Sequence, residues 1–451
     1  MRRAEAASPG RADAAQSPRP RDVARALGSV MVGNWFELFD FMVYGYFAAQ
    51  IGRAMFPAAD PLTSLLASFA TYGVGFFMRP VGAVVIGSYG DRRGRKAALV
   101  LTMVLMAVAT GLTGLVPAYE SIGLAAPILL VACRLVQGFA TGGEWGGATT
   151  FLVEYAPPHR RGFFGSLQQL STSLAILSAV GVALLLNSVL SADDLADWGW
   201  RLPFLLGLLV APVGFWLRAH VDETPAFRAE AGPPAAPLRE ALAHHGGAVL
   251  QVFGVTVVWT VGSYIFGAFT ASFAAQTLKI PASLVLTGTL IGTLANICTI
   301  PLVGWLSDRF GRWPFLVASA AACLVLGVPL FMQLDAAPGL WSVVALTTVG
   351  GVLTGLYSGA APTFICELLP TRVRYTAMSV GFNGAVMVFG GFGPFIATLL
   401  VRETGLNIAP GFYVMAAAAI SLGALLVVPR RPSFEAAELR PIPRRNFLQR
   451  A

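Results

Sequence analysis

Twelve apolar runs, each bounded by charged residues, Pro or Gly, constrain the fold of this chain more than any other feature. Each is close to the roughly 20 residues that a helix needs to cross the hydrocarbon core of a bilayer. The pattern predicts an all-α membrane protein with twelve transmembrane helices. The predicted helices span 27–50, 63–88, 97–117, 124–150, 163–190, 202–218, 247–275, 283–306, 314–334, 341–366, 375–400 and 410–429.

Polar segments divide these helices into two sets of six. Residues 219–246 are rich in Pro and charge and predict a cytoplasmic linker between bundles at 27–218 and 247–429. Residues 1–26 and 430–451 predict disordered cytoplasmic tails. The first tail has no apolar core segment, so it does not resemble a cleavable secretory signal.

Composition excludes the soluble classes. The chain of 451 residues is 56% hydrophobic and 12% charged, whereas a soluble domain carries about 25% charged residues. Its four cysteines fall in apolar stretches without metal-ligand or disulfide spacing, and we expect no metal and no cofactor. A membrane-bound enzyme is disfavoured because no Ser/His/Asp set or phosphate loop is present.

The basic residues predict the orientation. Of 31 Lys and Arg, the predicted outer loops hold only Arg53, Arg201, Lys279 and Arg402. This positive-inside bias places both termini in the cytoplasm. It also explains the net charge of +8 without a nucleic-acid partner, because basic loops lie against an anionic leaflet.

One charged motif occurs twice, at the same place in each half. Gly-x-x-x-Asp-Arg-x-Gly-Arg stands at 87–95 and again at 304–312, after the second and eighth predicted helices. A second pair, Glu-x-x-Pro followed by Arg, ends the fourth and tenth helices at 154–161 and 367–374. Two halves with the same loop chemistry indicate a duplicated transporter with pseudo-symmetric bundles.

These repeated charges predict a cytoplasmic gate. Carboxylates at helix ends and Arg from adjoining loops can pair while the halves are closed and separate when the halves rock. The alternative is that they are only topology signals. The predicted gate residues are Asp91, Arg92, Arg95, Glu154, Arg160, Arg161, Asp308, Arg309, Arg312, Glu367 and Arg372.

Five ionisable residues fall within predicted membrane helices, all in the first half: Glu37, Asp40, Arg79, Arg134 and Glu144. Each costs roughly 2.5–3.5 kcal/mol at the bilayer centre on insertion scales, so each must pair or face a wet cavity. Two Arg and three carboxylates have nearly balanced charges, so gain or loss of one proton changes the net charge of the site. We predict proton coupling by Glu37, Asp40, Glu144 and Arg134, with the alternative that the pairs only pin helices together.

Substrate contacts are predicted from the same charges and from polar residues facing them. Arg holds a carboxylate with two parallel hydrogen bonds, which makes Arg79 and Arg134 candidates for an anion. The neutral candidates are Gln137, Gln168, Gln169, Trp259, Tyr264, Asn296, Tyr357 and Asn383. Each of these could instead bond a neighbouring helix.

The double loop motif resembles the major facilitator superfamily, and within it the chain is similar to the metabolite:proton symporters. The resemblance covers about 25–430, and the second half is most similar to citrate and tricarballylate carriers. The stretches that carry it are Gly-Asn-Trp-Phe-Glu-Leu-Phe-Asp-Phe at 33–41, Gly-Phe-Phe-Met-Arg-Pro-Val-Gly at 75–82, Arg-Leu-Val-Gln-Gly at 134–138, Gly-Glu-Trp-Gly-Gly at 143–147, Glu-Tyr-Ala-Pro-Pro at 154–158, Trp-Gly-Trp-Arg-Leu-Pro-Phe at 198–204 and Asp-Glu-Thr-Pro at 222–225.

The resemblance implies a proton symporter of the bacterial cytoplasmic membrane, and we expect the protein to be a monomer. It also implies that Glu37 and Asp40 couple transport to protons and do not select the substrate. The chain departs from the citrate-type pattern at Trp145, at the start of the fifth helix around 164–169, and around 259–264, so substrate identity does not transfer.

The expected function is import of a small organic anion, a di- or tricarboxylate such as citrate or 2-oxoglutarate, with protons. The alternatives are a zwitterion such as proline or betaine, a shikimate-like monocarboxylate, and a transporter-like sensor. A zwitterion carrier would leave Arg79 and Arg134 structural.

Overall fold

The computed structural model describes residues 20–93, 95–142, 144–208, 237–369 and 371–428. All regular secondary structure within these ranges is helical. The predicted all-α fold is confirmed. Twelve spans, α1–α12, follow the chain in order, and the sixth is described only over 202–208.

The first half begins at Pro20, a residue suited to the first position of a helix because its missing N–H has no intrahelical partner there. A turn at Phe47 interrupts α1. The bounds are Pro20–Tyr46 with Ala48–Met55 (α1), Pro61–Arg93 (α2), Arg95–Leu115 (α3), Ala125–Thr141 with Glu144–Tyr155 (α4), Arg161–Val189 (α5) and 202–208 (α6).

The second half begins at Pro237 and bends at His245, whose backbone is not helical. Two of its spans contain a π-helical turn, which inserts one extra residue into the helix. The bounds are Pro237–Tyr264 with Ile265–Phe269 and Thr270–Gln276 (α7), Ala282–Phe310 (α8), Trp313–Ala336 (α9), Leu340–Ser358 with Ala361–Leu368 (α10), Thr371–Ala385 with Val386–Gly391 and Gly393–Thr404 (α11) and Ala409–Val427 (α12).

Two helices start earlier than the apolar pattern predicts. The sequence places the first start at 27 and the seventh at 247, but Pro20 and Pro237 begin them. Polar residues of the predicted tail and linker therefore form helical turns, because a helix start depends on its first residues and not on its apolar content. Residues 209–236, which include most of the predicted linker (219–246) and the second part of the predicted sixth helix, lie outside the described residues. So do residues 1–19 of the first predicted tail and the whole of the second, 430–451.

The lengths of the helices and the apolar surface of the bundle are those expected of a protein in a lipid bilayer. Within the described ranges, eight helices are long and apolar enough to cross a membrane, and two shorter apolar helices occupy Val100–Leu115 and Ala125–Thr141. Large apolar side chains are exposed on the outside of the bundle, including Leu115, Val189, Val325 and Leu426. So much exposed apolar surface is expected where the surrounding solvent is lipid.

Glycines bring α2 and α4 into backbone contact. A Cβ on Gly138 would overlap the carbonyl oxygen of Gly75, and one on Gly142 would overlap that of Arg79. Small residues at this spacing let transmembrane helices approach closely. This contact fixes the positions from which Arg79 and Arg134 extend.

We predict that Gly138→Ala destabilises the protein, because α2 and α4 must separate to admit the methyl group. Gly181→Ala on α5 is the matched control, since nothing lies within 4 Å of the position that an added Cβ would take there. The expected result is a lower midpoint of thermal unfolding in detergent for Gly138→Ala. For Gly181→Ala the midpoint should be unchanged or slightly higher, because Ala is more favourable than Gly in a helix by roughly 1 kcal/mol. Equal midpoints for the two variants would contradict the contact.

Candidate functional site

A cavity of about 120 Å³ lies between the two halves near the middle of the bundle. A buried water needs about 10–15 Å³ of such volume, so the cavity has room for a small metabolite. Eight spans line it, four from each half. The lining side chains that carry polar or charged groups are Asn34, Glu37, Arg79, Trp145, Gln169, Thr172, Ser173, Trp259, Thr260, Ser263, Tyr264, Thr289, Thr293, Asn296, Thr347, Thr354 and Ser358.

One ion pair faces this cavity. The Arg79 Nη2 lies 3.3 Å from the Glu37 Oε1, and both side chains are nearly buried, at 6% and 9% exposed. The Arg79 guanidinium also lies 4.6 Å from the ring centre of Phe76 and 5.2 Å from that of Phe41. Among the described lining residues, this pair supplies the only formal charges.

A second ion pair is sealed inside the first half. The Arg134 Nη1 lies 3.0 Å from the Asp40 Oδ2, and the side chains are 0% and 1% exposed. Aromatic rings cover the guanidinium, with Tyr44 at 4.3 Å and Phe204 at 5.7 Å from its Cζ. Arg134 does not line the cavity. Asp40 and Glu37, three residues apart on α1, thus pair with different partners.

We predict that breaking the Arg134–Asp40 pair from one side is far more costly than removing both charges. Asp40→Asn leaves a buried guanidinium uncompensated, which costs roughly 3–5 kcal/mol. The double variant Asp40→Leu with Arg134→Met should recover most of the thermal stability measured in detergent. Arg402→Ala, which breaks an exposed pair with Glu403, is the control and should change little. A stable Asp40→Asn protein would contradict this assignment.

The neutral candidates divide into cavity residues and residues that support them. Gln169, Trp259, Tyr264 and Asn296 line the cavity. The remaining four bond neighbouring helices: Gln137 donates to Thr110, Gln168 accepts from Thr149, Tyr357 donates to the Val255 carbonyl, and Asn383 donates to the Gly142 carbonyl.

Aromatic side chains from both halves pack against each other at two places beside the cavity. Trp145 of α4 stacks on Phe382 of α11 at 3.5 Å between ring centres, and Trp259 packs edge-on against both. Elsewhere, Tyr264 of α7 packs edge-on against Tyr72 and Phe76 of α2. Aromatic contacts therefore join the two halves beside the cavity.

Several residues and helical turns that line the cavity were not predicted from the sequence. Trp145 stands out in the sequence only as a departure from a related pattern, and the Thr and Ser hydroxyls carry no signal of their own. The π-helical turns at Ile265–Phe269 and Val386–Gly391 line the cavity and leave no mark in an apolar pattern. The nearest sequence signal is glycine, at Gly267 and at 390–391.

The second copy of the repeated motif joins the two halves at one end of the bundle, here called the motif end. The Asp308 carboxylate accepts hydrogen bonds from the backbone N–H groups of Gly162, at 2.7 Å, and Phe163, at 3.0 Å. These groups open α5 of the first half, where a carboxylate is favoured by the helix dipole. Arg312 pairs with Asp308 at 3.0 Å and with Glu367 at 3.2 Å.

The other predicted gate residues are placed less fully. Thr363 donates to the Arg161 carbonyl at 3.1 Å, which adds a bond between the halves. Arg309 instead lies over Trp305 of its own helix, and Arg160 is exposed. The remaining predicted residues have side chains outside the described part of the chain: Asp91, Arg92, Arg95, Glu144, Glu154 and Arg372.

We predict that Asp308→Ala opens the motif end, because it removes two bonds to the start of α5 and the partner of Arg312. The readout is the rate at which a membrane-impermeant maleimide labels Thr172→Cys in the cavity, in a Cys298→Ser background. The rate from the motif end should rise several-fold. Arg309→Ala is the control and should leave it unchanged. An unchanged rate in Asp308→Ala would show that this cluster does not hold the halves together.

Comparison with known proteins supports a transporter fold. Residues 26–383 and 294–447 match the Major Facilitator Superfamily. The fold also matches a crystal structure of a D-xylose-proton symporter with a TM-score of 0.71 at 17% identity, covering 90% of this chain and 98% of that one.

Relatives named for different substrates are similarly distant. The chain is 37% identical to a citrate-proton symporter of Klebsiella pneumoniae (90% of this chain, 92% of the relative). It is 34% identical to a glycine betaine/proline/ectoine/pipecolic acid transporter of Dickeya dadantii (88% and 81%). It is 36% identical to a shikimate transporter of Escherichia coli (83% and 87%). Similarity therefore leaves the substrate open.

Proposed function

Because the chain belongs to the major facilitator superfamily and is a proton-coupled membrane transporter, we propose that it imports a small organic acid together with protons. The proposed location is the cytoplasmic membrane of a bacterium, with both termini and the motif end on the cytoplasmic side. Transport proceeds by alternating access, in which the two halves rock about the cavity and open it to one side at a time.

The Arg79–Glu37 pair in the cavity carries this proposal. A guanidinium binds a carboxylate, and Glu37 holds that position while it is ionised. Protonation of Glu37 removes its charge and leaves Arg79 available to the carboxylate of the substrate. The proton and the organic anion thus bind together, and for an anion that carries one negative charge the charge of the cavity is the same before and after both have entered.

The number of cationic side chains that line the cavity limits the number of substrate carboxylates that can be paired there. Arg79 is the one cation among the described lining residues, so it can satisfy one carboxylate. Further carboxylates of a di- or tricarboxylate would meet only hydroxyls and amides, or would enter protonated. Arg134, expected as a second anion ligand, instead pairs with Asp40 and in this proposal holds α1 against α4.

A zwitterion is the second candidate. The described lining carries one acid, one base and the aromatic side chains Trp145, Trp259 and Tyr264. An aromatic face attracts an ammonium group by a cation–π interaction of about 0.5–2 kcal/mol. The carboxylate of a zwitterion would bind Arg79 as above.

The proposal is tested with purified protein in liposomes. An imposed inward proton gradient should drive accumulation of at least one of labelled citrate, shikimate or proline. No accumulation of any of them would contradict the proposed function.

We predict that Glu37→Gln abolishes gradient-driven accumulation of the transported compound, because the amide cannot load and release a proton. The variant should still exchange internal for external substrate in a counterflow assay, since Arg79 is free to bind the carboxylate. Glu403→Gln, at the exposed end of α11, is the matched control and should accumulate substrate like the wild type. Full accumulation by Glu37→Gln would show that Glu37 does not couple transport to protons.

A further inference from the structure

We propose that Asn296 presents only a hydrogen-bond acceptor to the cavity and therefore selects substrates that carry a hydroxyl or an N–H group besides their carboxylate. This inference rests on the proposed function and names the chemistry of the same site. Asn296 lies on α8, in the half whose described cavity lining is uncharged, and it borders the cavity together with Ser173 of α5.

Both amide protons of Asn296 are used within the second half. The Nδ2 donates to the Gly351 carbonyl at 2.8 Å and to the Thr354 Oγ1 at 3.1 Å. A carbonyl oxygen can only accept, so its position identifies the nitrogen of the amide. The Thr354 hydroxyl donates its own proton to a backbone carbonyl, at 2.8 Å to Gly350, and so accepts from Asn296.

Close packing keeps the amide in this orientation. A Cβ on Gly351 would lie 3.5 Å from the Asn296 Cβ and would overlap the Gly292 carbonyl oxygen. The backbones of α8 and α10 therefore meet at this level. A rotation that turned the Nδ2 toward the cavity would break both of its bonds and would bring the Oδ1 against the Gly351 carbonyl.

The Oδ1 faces the first half, where it accepts a hydrogen bond from the Ser173 Oγ at 2.6 Å. Ser173 and Asn296 belong to different halves, so the rocking that opens the cavity at this level separates them. An open cavity then presents an acceptor without its donor. A substrate hydroxyl or ammonium at this position satisfies the Oδ1, whereas a carboxylate oxygen is repelled and a fully methylated ammonium has no proton to donate.

Three pairs of probes test the inference, and the members of each pair differ in hydrogen-bond donors: one hydroxyl in the first pair, three hydroxyls in the second and two ammonium protons in the third. They are citrate and tricarballylate, shikimate and cyclohex-1-ene-1-carboxylate, and proline and N,N-dimethylproline. The Kd of each is measured by calorimetry on the full chain in nanodiscs, without a proton gradient. For at least one pair, the donor-bearing member should bind about tenfold more tightly, since a buried acceptor left without its bond costs roughly 1–3 kcal/mol.

Two variants should act in opposite directions. Asn296→Ala should reduce the difference within that pair to less than about threefold, by weakening the donor-bearing member. Ser173→Ala should strengthen the donor-bearing member several-fold, because the substrate no longer competes with the Ser173 hydroxyl. Ser263→Ala is the control: it removes another cavity hydroxyl, which donates to the Trp259 carbonyl of its own helix, and should leave the difference intact.

The outcomes separate this inference from the proposed function. Equal binding within every pair, an undiminished difference in Asn296→Ala, or weaker binding in Ser173→Ala would overturn the role of Asn296. Selective binding without gradient-driven accumulation would support that role and overturn proton-coupled import. If none of the six probes binds, both proposals fail.

Discussion

The pairing of charges on α1 is the interaction on which the rest of the structure depends. A charge in hydrocarbon must be compensated, and Glu37 and Asp40 are compensated by Arg side chains from two different spans. The two acids stand one helical turn apart, yet only Glu37 borders the cavity. One pair is therefore sealed and structural in character, while the other is accessible to a ligand and a proton.

The backbone contact between α2 and α4 makes the difference between the two ion pairs possible. Because glycines bring α4 against α2, Arg79 and Arg134 extend from two spans whose axes are close together, and α1 packs over both. Aromatic rings then fill the space around Arg134 and exclude a ligand. A larger residue at Gly138 or Gly142 would move the two guanidinium groups apart and would disturb both pairs at once.

The bonds between the halves are individually modest, and this suits a protein whose halves must separate. Near the motif end they include the Asp308 contacts to α5 and the bond from Thr363. At the cavity they include the bond from Ser173 to Asn296. A neutral hydrogen bond contributes about 0.5–1.5 kcal/mol net, and one to a charged group such as the Asp308 carboxylate about 1.5–3 kcal/mol. A ligand of millimolar affinity supplies about 4 kcal/mol, which is comparable with a few such bonds.

The sequence predicted the twelve-span fold and four of the buried charges, Glu37, Asp40, Arg79 and Arg134, because apolar length and a charge within an apolar run are local signals. It could not distinguish Arg79 from Arg134. Each lies on an apolar helix, and what separates them is the rotation of two helices relative to a third, which no local pattern encodes. The π-helical turns and the early starts at Pro20 and Pro237 were missed because they depend on tertiary contacts or on single residues at helix ends.

The unequal halves suggest how one scaffold serves several substrates. The charges that we propose to bind a carboxylate and a proton, Arg79 and Glu37, lie in the first half, whereas the described lining of the second half is neutral. Relatives named for citrate, for betaine and proline, and for shikimate are 37%, 34% and 36% identical to this chain. All of these compounds carry a carboxylate, so one Arg could anchor each of them. What differs among them is the hydroxyl, ammonium or further carboxylate, and neutral donors and acceptors such as Asn296 are the groups that can tell these apart.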